Sequence, residues 1–339
     1  MLEPEEALAA WPQGGTLESA PDSGLINRTW CVGQPPHAVL QWVHPIFDPK
    51  IHDDVAVVTE RLVSVGIAVP RLLENREGRL VLGDERGCWR LSTYLPGRTL
   101  HRLADSRQAA SAGRLVGRFH AALEGWDYTC RAPRRNIHDT PRRMAELEAA
   151  LRAAGGHPFE AEARELGARI LERWNAWDGE LDQPERFCHG DLKISNLRFD
   201  DESREALGIL DLDTLGPMPI ASEMGDAWRS WCNPAGEDDP AAVEFDLELF
   251  TASARAWLPE LELMERERAA LVPGIERICL ELASRFCADA VRNDYFLEDR
   301  ERYPRPGEHN LLRARSQVAL AASARRHRPA CERVIGAIP

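Results

Sequence analysis

The stretch FCHGDLKISNLRFDDESREALGILDLDTLGPMPIASEMGD, residues 187–226, decides how the rest of the chain is read. It opens on a polar cluster, His189-Gly190-Asp191-Leu192-Lys193-Ile194-Ser195-Asn196. It continues through a charged turn, Asp200 to Glu205, into an apolar run that ends in two acids, Ile209-Leu210-Asp211-Leu212-Asp213. This pattern predicts two short strands flanking a turn. A carboxylate and an amide stand at one end, and further carboxylates at the other.

Phosphoryl transfer needs these groups. One carboxylate accepts the proton of an attacking hydroxyl, oxygen ligands hold Mg²⁺ on the phosphates, and a cation faces the transferring group. Asp191 can be the base. Asn196, five residues on, fits the second metal ligand of the kinase pattern H-x-D-x-K-x-x-N. Lys193 can face the terminal phosphate, and Asp211 is placed to hold the bridging metal ion. Any one of these residues alone would read as turn decoration. Their joint spacing is what carries the chemistry.

The stretch resembles the aminoglycoside-phosphotransferase superfamily, and within it the N-acetylhexosamine 1-kinases. The D-x-K-x-x-N form, the run Ile209-Leu210-Asp211-Leu212-Asp213-Thr214 and the segment Met224-Gly225-Asp226-Ala227-Trp228-Arg229 carry the resemblance. It implies an α+β, protein-kinase-like bilobal fold, with a small β-rich N-lobe over residues 1–95 and a larger, mostly helical C-lobe over 96–339. It implies ATP and Mg²⁺ as cofactors and a hydroxyl acceptor. The specific form is the anomeric 1-hydroxyl of an N-acetylhexosamine or related hexose. It also makes Asp226 a brace for the catalytic loop, with His189 supporting it, and leaves Asp213 as a further metal ligand or a substrate contact.

Composition narrows the classes. The chain has 339 residues, enough for two lobes and a sizeable core. With 42 Lys and Arg against 55 Asp and Glu, its net charge is −13, which argues against a general nucleic-acid or membrane-surface binder. Eight cysteines without C-x-x-C pairing suit a reduced, cytoplasmic protein. The opening MLEPEEALAAWPQGG is too polar for a signal peptide, and no apolar run approaches a membrane span. The only lysines are Lys50 and Lys193. One of them therefore falls inside the proposed catalytic motif, and the strand lysine usual in kinases has almost nowhere to be.

In the first 95 residues, strands are expected at Thr16–Ser19, Thr29–Gly33, His37–Val43, Arg79–Leu82 and Trp89–Tyr94, with a helix over Ile51–Val65. Gly66 and Pro70 stop that helix. The loop Gly24-Leu25-Ile26-Asn27-Arg28-Thr29 resembles the phosphate-covering loop of the hexosamine kinases, which makes Gly24, Asn27 and Arg28 nucleotide-binding candidates. Gln41 or Trp42 stands where the third strand would carry its lysine. Gln41 can hydrogen-bond phosphate oxygens but brings no charge, so Lys50 and Arg28 are the candidate cations. Glu60 sits where a helix glutamate could face the phosphates, or is simply solvated. Thr93 to Gly97 reads as the hinge, with Thr93 and Leu95 placed there by position.

From residue 98 the pattern is helical. Helices are expected over Arg107–Trp126, from Thr140 as N-cap to Ala154, over Glu160–Trp177 and over Glu223–Trp231. Further helices are expected over Asp246–Leu258, Glu260–Leu271, Ile275–Asn293 and Tyr303–Ala322. His120 reads as a packed residue rather than a ligand. The H-D-T-P-x-R run makes Asp139 and Arg143 candidate substrate contacts by resemblance. The E-H-N-L-x-R-A-R-x-Q run does the same for His309, Asn310 and Arg313. Two other functions stay open: an aminoglycoside or amino-alcohol O-phosphotransferase, and a nucleotide-binding protein with little catalysis, the latter because the strand lysine is missing.

Overall fold

Alternating apolar residues lay an antiparallel sheet across the N-terminal part of the chain. The computed structural model describes residues 2–19, 27–84, 86–132, 137–236 and 238–339. A short helix, α1 (Pro4–Leu8), precedes β1 (Leu17–Ser19), β2 (Arg28–Val32) and β3 (Ala38–Val43). Helix α2 (Ile51–Ser64) follows, then β4 (Leu72–Leu73), β5 (Val81–Asp84) and β6 (Gly87–Thr93). The strand order is β1-β2-β3-β6-β4, with β5 also paired to β6.

Alternate residues of a strand face opposite sides. Leu40, Trp89 and Leu91 therefore share one face, where they pack with Leu8, Trp11 and Val32. Gln41 and Arg90, which are register partners, share the other. The fifth strand begins at Val81 rather than Arg79. The Asn75 side chain accepts from the Glu77 and Arg79 amides at 3.0 Å and keeps that segment in a turn.

On α2, Val55, Val58 and Leu62 join the main core. Its buried acid is Asp54, which accepts from the Tyr128 hydroxyl and from the Arg131 and Ala132 amides at 2.9 Å. Glu60 lies on the outside, paired with exposed Arg71 at 2.6 Å. The helix is thus fastened to the 128–132 loop, and its glutamate does not reach toward the sheet.

The second lobe begins with β7 (Arg98–Thr99) and α3 (Ser106–Leu123), capped by Asp105. In α4 (Thr140–Ala153) the cap is Asp139, whose carboxylate accepts from the Arg142 amide at 3.1 Å. Thr140 is the first helical residue, and its hydroxyl is spent on Glu281 at 2.6 Å, so it does not cap as expected. After α5 (Glu160–Asn175) come β8 (Glu185–Cys188), β9 (Leu197–Phe199), β10 (Ala206–Ile209) and β11 (Gly216–Pro219). Strand β8 pairs with β11, and β9 lies between β10 and β7. Helices α6 (Ile220–Trp231), α7 (Leu247–Trp257), α8 (Glu265–Arg292) and α9 (Glu308–Gly336) complete the lobe.

Pro273 and Gly274 suggest a break between two helices, but α8 runs through them as one helix of 28 residues. Proline removes one hydrogen bond there. Tertiary packing holds the turn: Trp177 donates its indole N–H to the Pro273 carbonyl at 3.0 Å, and Gly274 lies against α6. A Cβ on Gly274 would stand 2.3 Å from the Ala221 carbonyl oxygen, and one on Gly225 would stand 2.6 Å from the Gly274 carbonyl. The two backbones touch directly. Around them, Phe119, Trp228, Trp231, Phe250 and Trp257 are almost fully buried. Among the described residues no helix is long and apolar enough to cross a membrane, and Cys31, Cys88, Cys188, Cys232, Cys279, Cys287 and Cys331 are free thiols.

Candidate active site

The loop after β8 carries the H-G-D-L-K-I-S-N cluster, and it is fixed from two sides. From α6, Glu223 accepts from the His189 amide at 2.7 Å and the Gly190 amide at 2.8 Å. Ser230 accepts from the Ile194 amide at 2.9 Å, and the Trp231 indole donates to the Leu192 carbonyl at 2.8 Å. From the β10 side, the His189 ring Nε2 donates to the Leu210 carbonyl at 2.8 Å while Nδ1 accepts from the Asp191 amide at 3.2 Å. The Leu210 amide donates to the Asn196 carbonyl at 2.8 Å. Gly190 has φ +86°, and a Cβ there would lie 2.6 Å from the Thr214 carbonyl, so both conformation and space require glycine.

At the centre, Lys193 Nζ stands 2.6 Å from Asp191 Oδ2. Asn196 Nδ2 donates to the Asp191 carbonyl at 2.7 Å and to Oδ2 at 3.0 Å. Enclosure opposes ionisation of Asp191, but the Lys193 charge and these donors outweigh it and hold the carboxyl below its ordinary value. An ionised carboxylate with an ammonium neighbour is therefore in place, a pair able to accept a proton. Asp211 adopts a left-handed backbone, φ 59°, ψ 60°. Such conformations in non-glycine residues concentrate at functional sites. Its carboxylate has no hydrogen-bond partner among the described residues. Desolvation and the charge of Asp213 push its pKa up to about 6, against the pull of Lys193, while the residue keeps an exposed side. A divalent cation would relieve that repulsion, and Asp211 with the remaining amide oxygen of Asn196 are the donors suited to hold one.

Asp213 is not free to touch a metal or a substrate. It is almost fully buried, and its two oxygens receive the guanidinium of Arg90, which is equally buried. Asn27 adds a third donor at 3.1 Å. Arg90 also donates Nε to Gln41 Oε1 at 3.0 Å, and Gln41 Nε2 donates to Thr29 Oγ1 at 3.1 Å. The sequence reading missed Arg90, although one charged residue alternating with Trp89 and Leu91 on an apolar strand was a signal for it. It also took Asp226 for the acid that braces the loop. That acid is Glu223, three residues earlier. Asp226 instead accepts from Arg229 at 2.9 and 3.1 Å.

Glu223 is in turn held by His120, whose Nε2 lies at 3.1 Å and whose Nδ1 accepts from the Trp257 indole at 3.0 Å. His120, Glu223 and Cys188 lie close together, but both imidazole nitrogens are already engaged.

A second polar cluster joins α4, α6 and α8. His138 lies 3.0 Å from Glu281 and Thr140 bonds the other oxygen. Arg277 donates to Ser222. Three buried atoms here have no hydrogen-bond partner: Asp226 Oδ2, His138 Nε2 and Arg277 Nε. The Asp226 charge acts on both Lys193 and His138, which places the cluster beside the catalytic loop.

Burial disfavours the imidazolium of His138, but Glu281 outweighs it and raises the pKa. Burial likewise opposes ionisation of Glu281, and His138 more than compensates, lowering its pKa. The sign follows. The histidine's contribution to stability is complete below its ordinary pKa of about 6.5 and is lost as pH rises through the raised folded value. The glutamate's is complete above its ordinary value of about 4.3 and is lost as pH falls through the depressed one. His138→Gln should therefore lower the thermal midpoint most near pH 6, by an amount equivalent to about 3 kcal/mol, with the gap to wild type closing as pH rises through the histidine's raised value. Melting curves across pH check this; a gap independent of pH would contradict it.

The remaining candidates are placed as follows. Arg28 lies over the Trp42 ring at 5.9 Å. Thr93 Oγ1 accepts from the Arg71 amide at 2.9 Å, and the Leu95 carbonyl accepts from Arg198 at 3.2 Å. Gly24 lies outside the described residues. Lys50 stands at the N-cap of α2. Arg143 pairs with Glu146 at 2.8 Å. His309 stacks on Tyr303 at 4.4 Å and bonds Asp238, Asn310 donates to Asp289 at 2.9 Å, and Arg313 donates to the Leu297 carbonyl at 3.0 Å. These three secure the 289–303 segment. Asp289, which Asn310 bonds, is eight residues beyond Glu281 on α8, about 12 Å along the helix axis.

Residues 19–263 match the model of the phosphotransferase enzyme family. Among solved structures, a microcompartment-associated aminopropanol kinase matches at TM-score 0.63 and 18% identity, covering 97% of each chain. An amicoumacin kinase in complex with AMP-PNP and Ca²⁺ matches at 0.60 and 13%, covering 93% of this chain and 91% of the other. A choline kinase from Cryptosporidium parvum Iowa II matches at 0.59 and 13%, covering 92% and 89%. At these identities the likeness concerns the fold.

Proposed function

As a member of the phosphotransferase enzyme family, this chain is a small-molecule kinase acting on a hydroxyl acceptor, and we propose that the acceptor is a sugar, with the anomeric 1-hydroxyl of an N-acetylhexosamine or related hexose as the specific form. ATP and Mg²⁺ are the proposed cofactors; the AMP-PNP and Ca²⁺ bound by the amicoumacin kinase support a nucleotide with a divalent ion. Asp191 accepts the proton as the acceptor oxygen attacks the terminal phosphorus in line and the bond to the leaving nucleotide breaks. Lys193 offsets charge on the transferring group and keeps Asp191 ionised. Asp211 and Asn196 would hold the metal, which when bound neutralises phosphate charge.

One observation carries the sugar reading. The polar cluster at Asp226 holds three buried atoms without a hydrogen-bond partner, Asp226 Oδ2, His138 Nε2 and Arg277 Nε, an acceptor on an acid beside nitrogens on two bases. A polyol can satisfy such a mixed set, whereas a permanent cation would meet the two bases along with the acid. An amino-alcohol or aminoglycoside acceptor is the second reading, supported by the aminopropanol and choline kinases that share the fold.

ADP release across free hexosamines, plain hexoses, their 1-O-methyl glycosides, choline, aminopropanol and aminoglycosides separates the two. The expected result is turnover of a free sugar that vanishes on 1-O-methylation. Turnover confined to the amines would overturn the sugar reading.

A further inference from the structure

The third strand brings Gln41 where a cation belongs, and neither lysine can supply the charge. Lys50 begins a helix at the lobe's edge, and Lys193 is committed to Asp191. The sheet register shows where the charge has gone. Gln41 sits between Thr29 on β2 and Arg90 on β6, and it bonds both of them. Its amide therefore serves as a spacer that orients the guanidinium of the neighbouring strand. Arg90 then crosses from the sheet to Asp213, two residues past the metal-holding Asp211.

The surroundings fit a pair that must stay charged and fixed. Asn27, from the edge of the nucleotide loop, donates to the same carboxylate, and its Oδ1 accepts from the His44 amide at 3.1 Å. His52 of α2 stands within the field of both Arg90 and Asp213, and burial, followed by Arg90, lowers its pKa to about 4, so it adds no competing charge. Its Nδ1 is spent on the Pro49 carbonyl at 2.8 Å. Two sheet strands, the nucleotide loop and the Asp211 segment thus meet at one carboxylate, while α2, whose glutamate would pair a strand lysine, turns Glu60 outward to Arg71.

We propose that Arg90 stands in for the absent strand lysine: from the adjacent strand it grips Asp213, and through Asp213 it holds the Asp211 segment against the N-lobe sheet, so that the metal-holding carboxylate and the nucleotide are presented together. This rests on the reading of Asp211 as a metal ligand. Arg90 is a positioning residue, acting on the phosphates only through Asp213 and Asp211. Removing it leaves Asp213 as a buried, uncompensated charge at the base of the segment.

The experiment compares wild type with Arg90→Lys, Arg90→Met and the double variant Arg90→Met/Asp213→Asn, which removes the orphaned charge and so protects the fold. Hydrogen exchange of the 210–216 peptide and AMP-PNP affinity with and without Mg²⁺ are measured on each, with kcat and the KM for ATP alongside. The expected result is exchange in 210–216 faster by about tenfold in both Met variants, and Mg²⁺-dependent affinity weaker by about tenfold or more. Metal-free AMP-PNP affinity should stay within about twofold, and Arg90→Lys should recover part of the loss. Unchanged exchange in 210–216 would overturn the proposal. So would an equal loss of affinity with and without Mg²⁺, which would place Arg90 directly on the nucleotide. Failure of wild type to bind AMP-PNP would instead strike the phosphotransferase reading of the site, and the exchange measurement would still decide the role of Arg90.

Discussion

Asp191→Asn lowers kcat by about 10³-fold or more while nucleotide affinity stays within a few-fold. The substitution keeps the side chain's shape but removes its basicity. It also turns an acceptor of two donors, Lys193 Nζ and Asn196 Nδ2, into a group that offers an N–H of its own. Asp211 is untouched, so a metal-held nucleotide should still bind. The loss then falls on the step in which the acceptor's proton must leave, and the kcat term should carry nearly all of it. Steady-state kinetics with AMP-PNP binding measured in parallel checks this. Near-normal turnover would remove Asp191 from the role of base.

Glu223→Ala should cost about 3–5 kcal/mol of stability and most of the activity. Glu223 is fully buried, and one carboxylate accepts from the His189 amide, the Gly190 amide and the His120 ring. Truncation strands two backbone N–H groups in a site water does not reach, and each such loss costs about 1–3 kcal/mol. It also frees the very peptide units that aim Asp191. Glu223→Gln separates the effects. It keeps the volume and one acceptor oxygen, so it should recover part of the stability, but its NH₂ must face a donor. Denaturant melts and turnover should therefore fall together for both variants, with Ala the worse. A Glu223→Ala protein of wild-type stability would show that the loop is held by its other contacts alone.

The grouping of Asp191, Lys193 and Asn196 was legible because its spacing is local. Asp191, Lys193 and Asn196 lie within six residues, and the loop that holds them needs nothing distant to define their order. The strands around Gln41 and Trp89 were legible from alternation. What could not be read were partners joined only by folding. Arg90 and Asp213 lie 123 residues apart, and only the register of β3 on β6 puts Arg90 over the cleft. Glu223 and Asp226 both lie on α6, and the choice between them depends on the helix's rotation relative to β8, which neither propensity nor spacing reports. Pro273 misled for the opposite reason. Its local cost is real, but packing on α6 and the Trp177 hydrogen bond override it. His309, Asn310 and Arg313 form a run that suggested a site by resemblance; the hydrogen bonds they make fasten the 289–303 segment and Asp238.

The backbone contact between α6 and α8 has a consequence for how this protein can change. On α6, one face presents Glu223 to the catalytic loop, and Gly225 is pressed against Gly274. On α8, Arg277 and Glu281 follow Gly274 at the next turns and reach into the second polar cluster. Because glycine leaves no side chain at the crossing, the separation of the two helices is set by main-chain atoms alone. Arg277 and Glu281 can therefore be exchanged without altering the distance from α8 to the helix that fixes the Asp191 loop. On the proposed reading of the cluster as the acceptor site, the chemistry and the choice of molecule it acts on are mechanically uncoupled, and a lineage could retarget the second while inheriting the first intact.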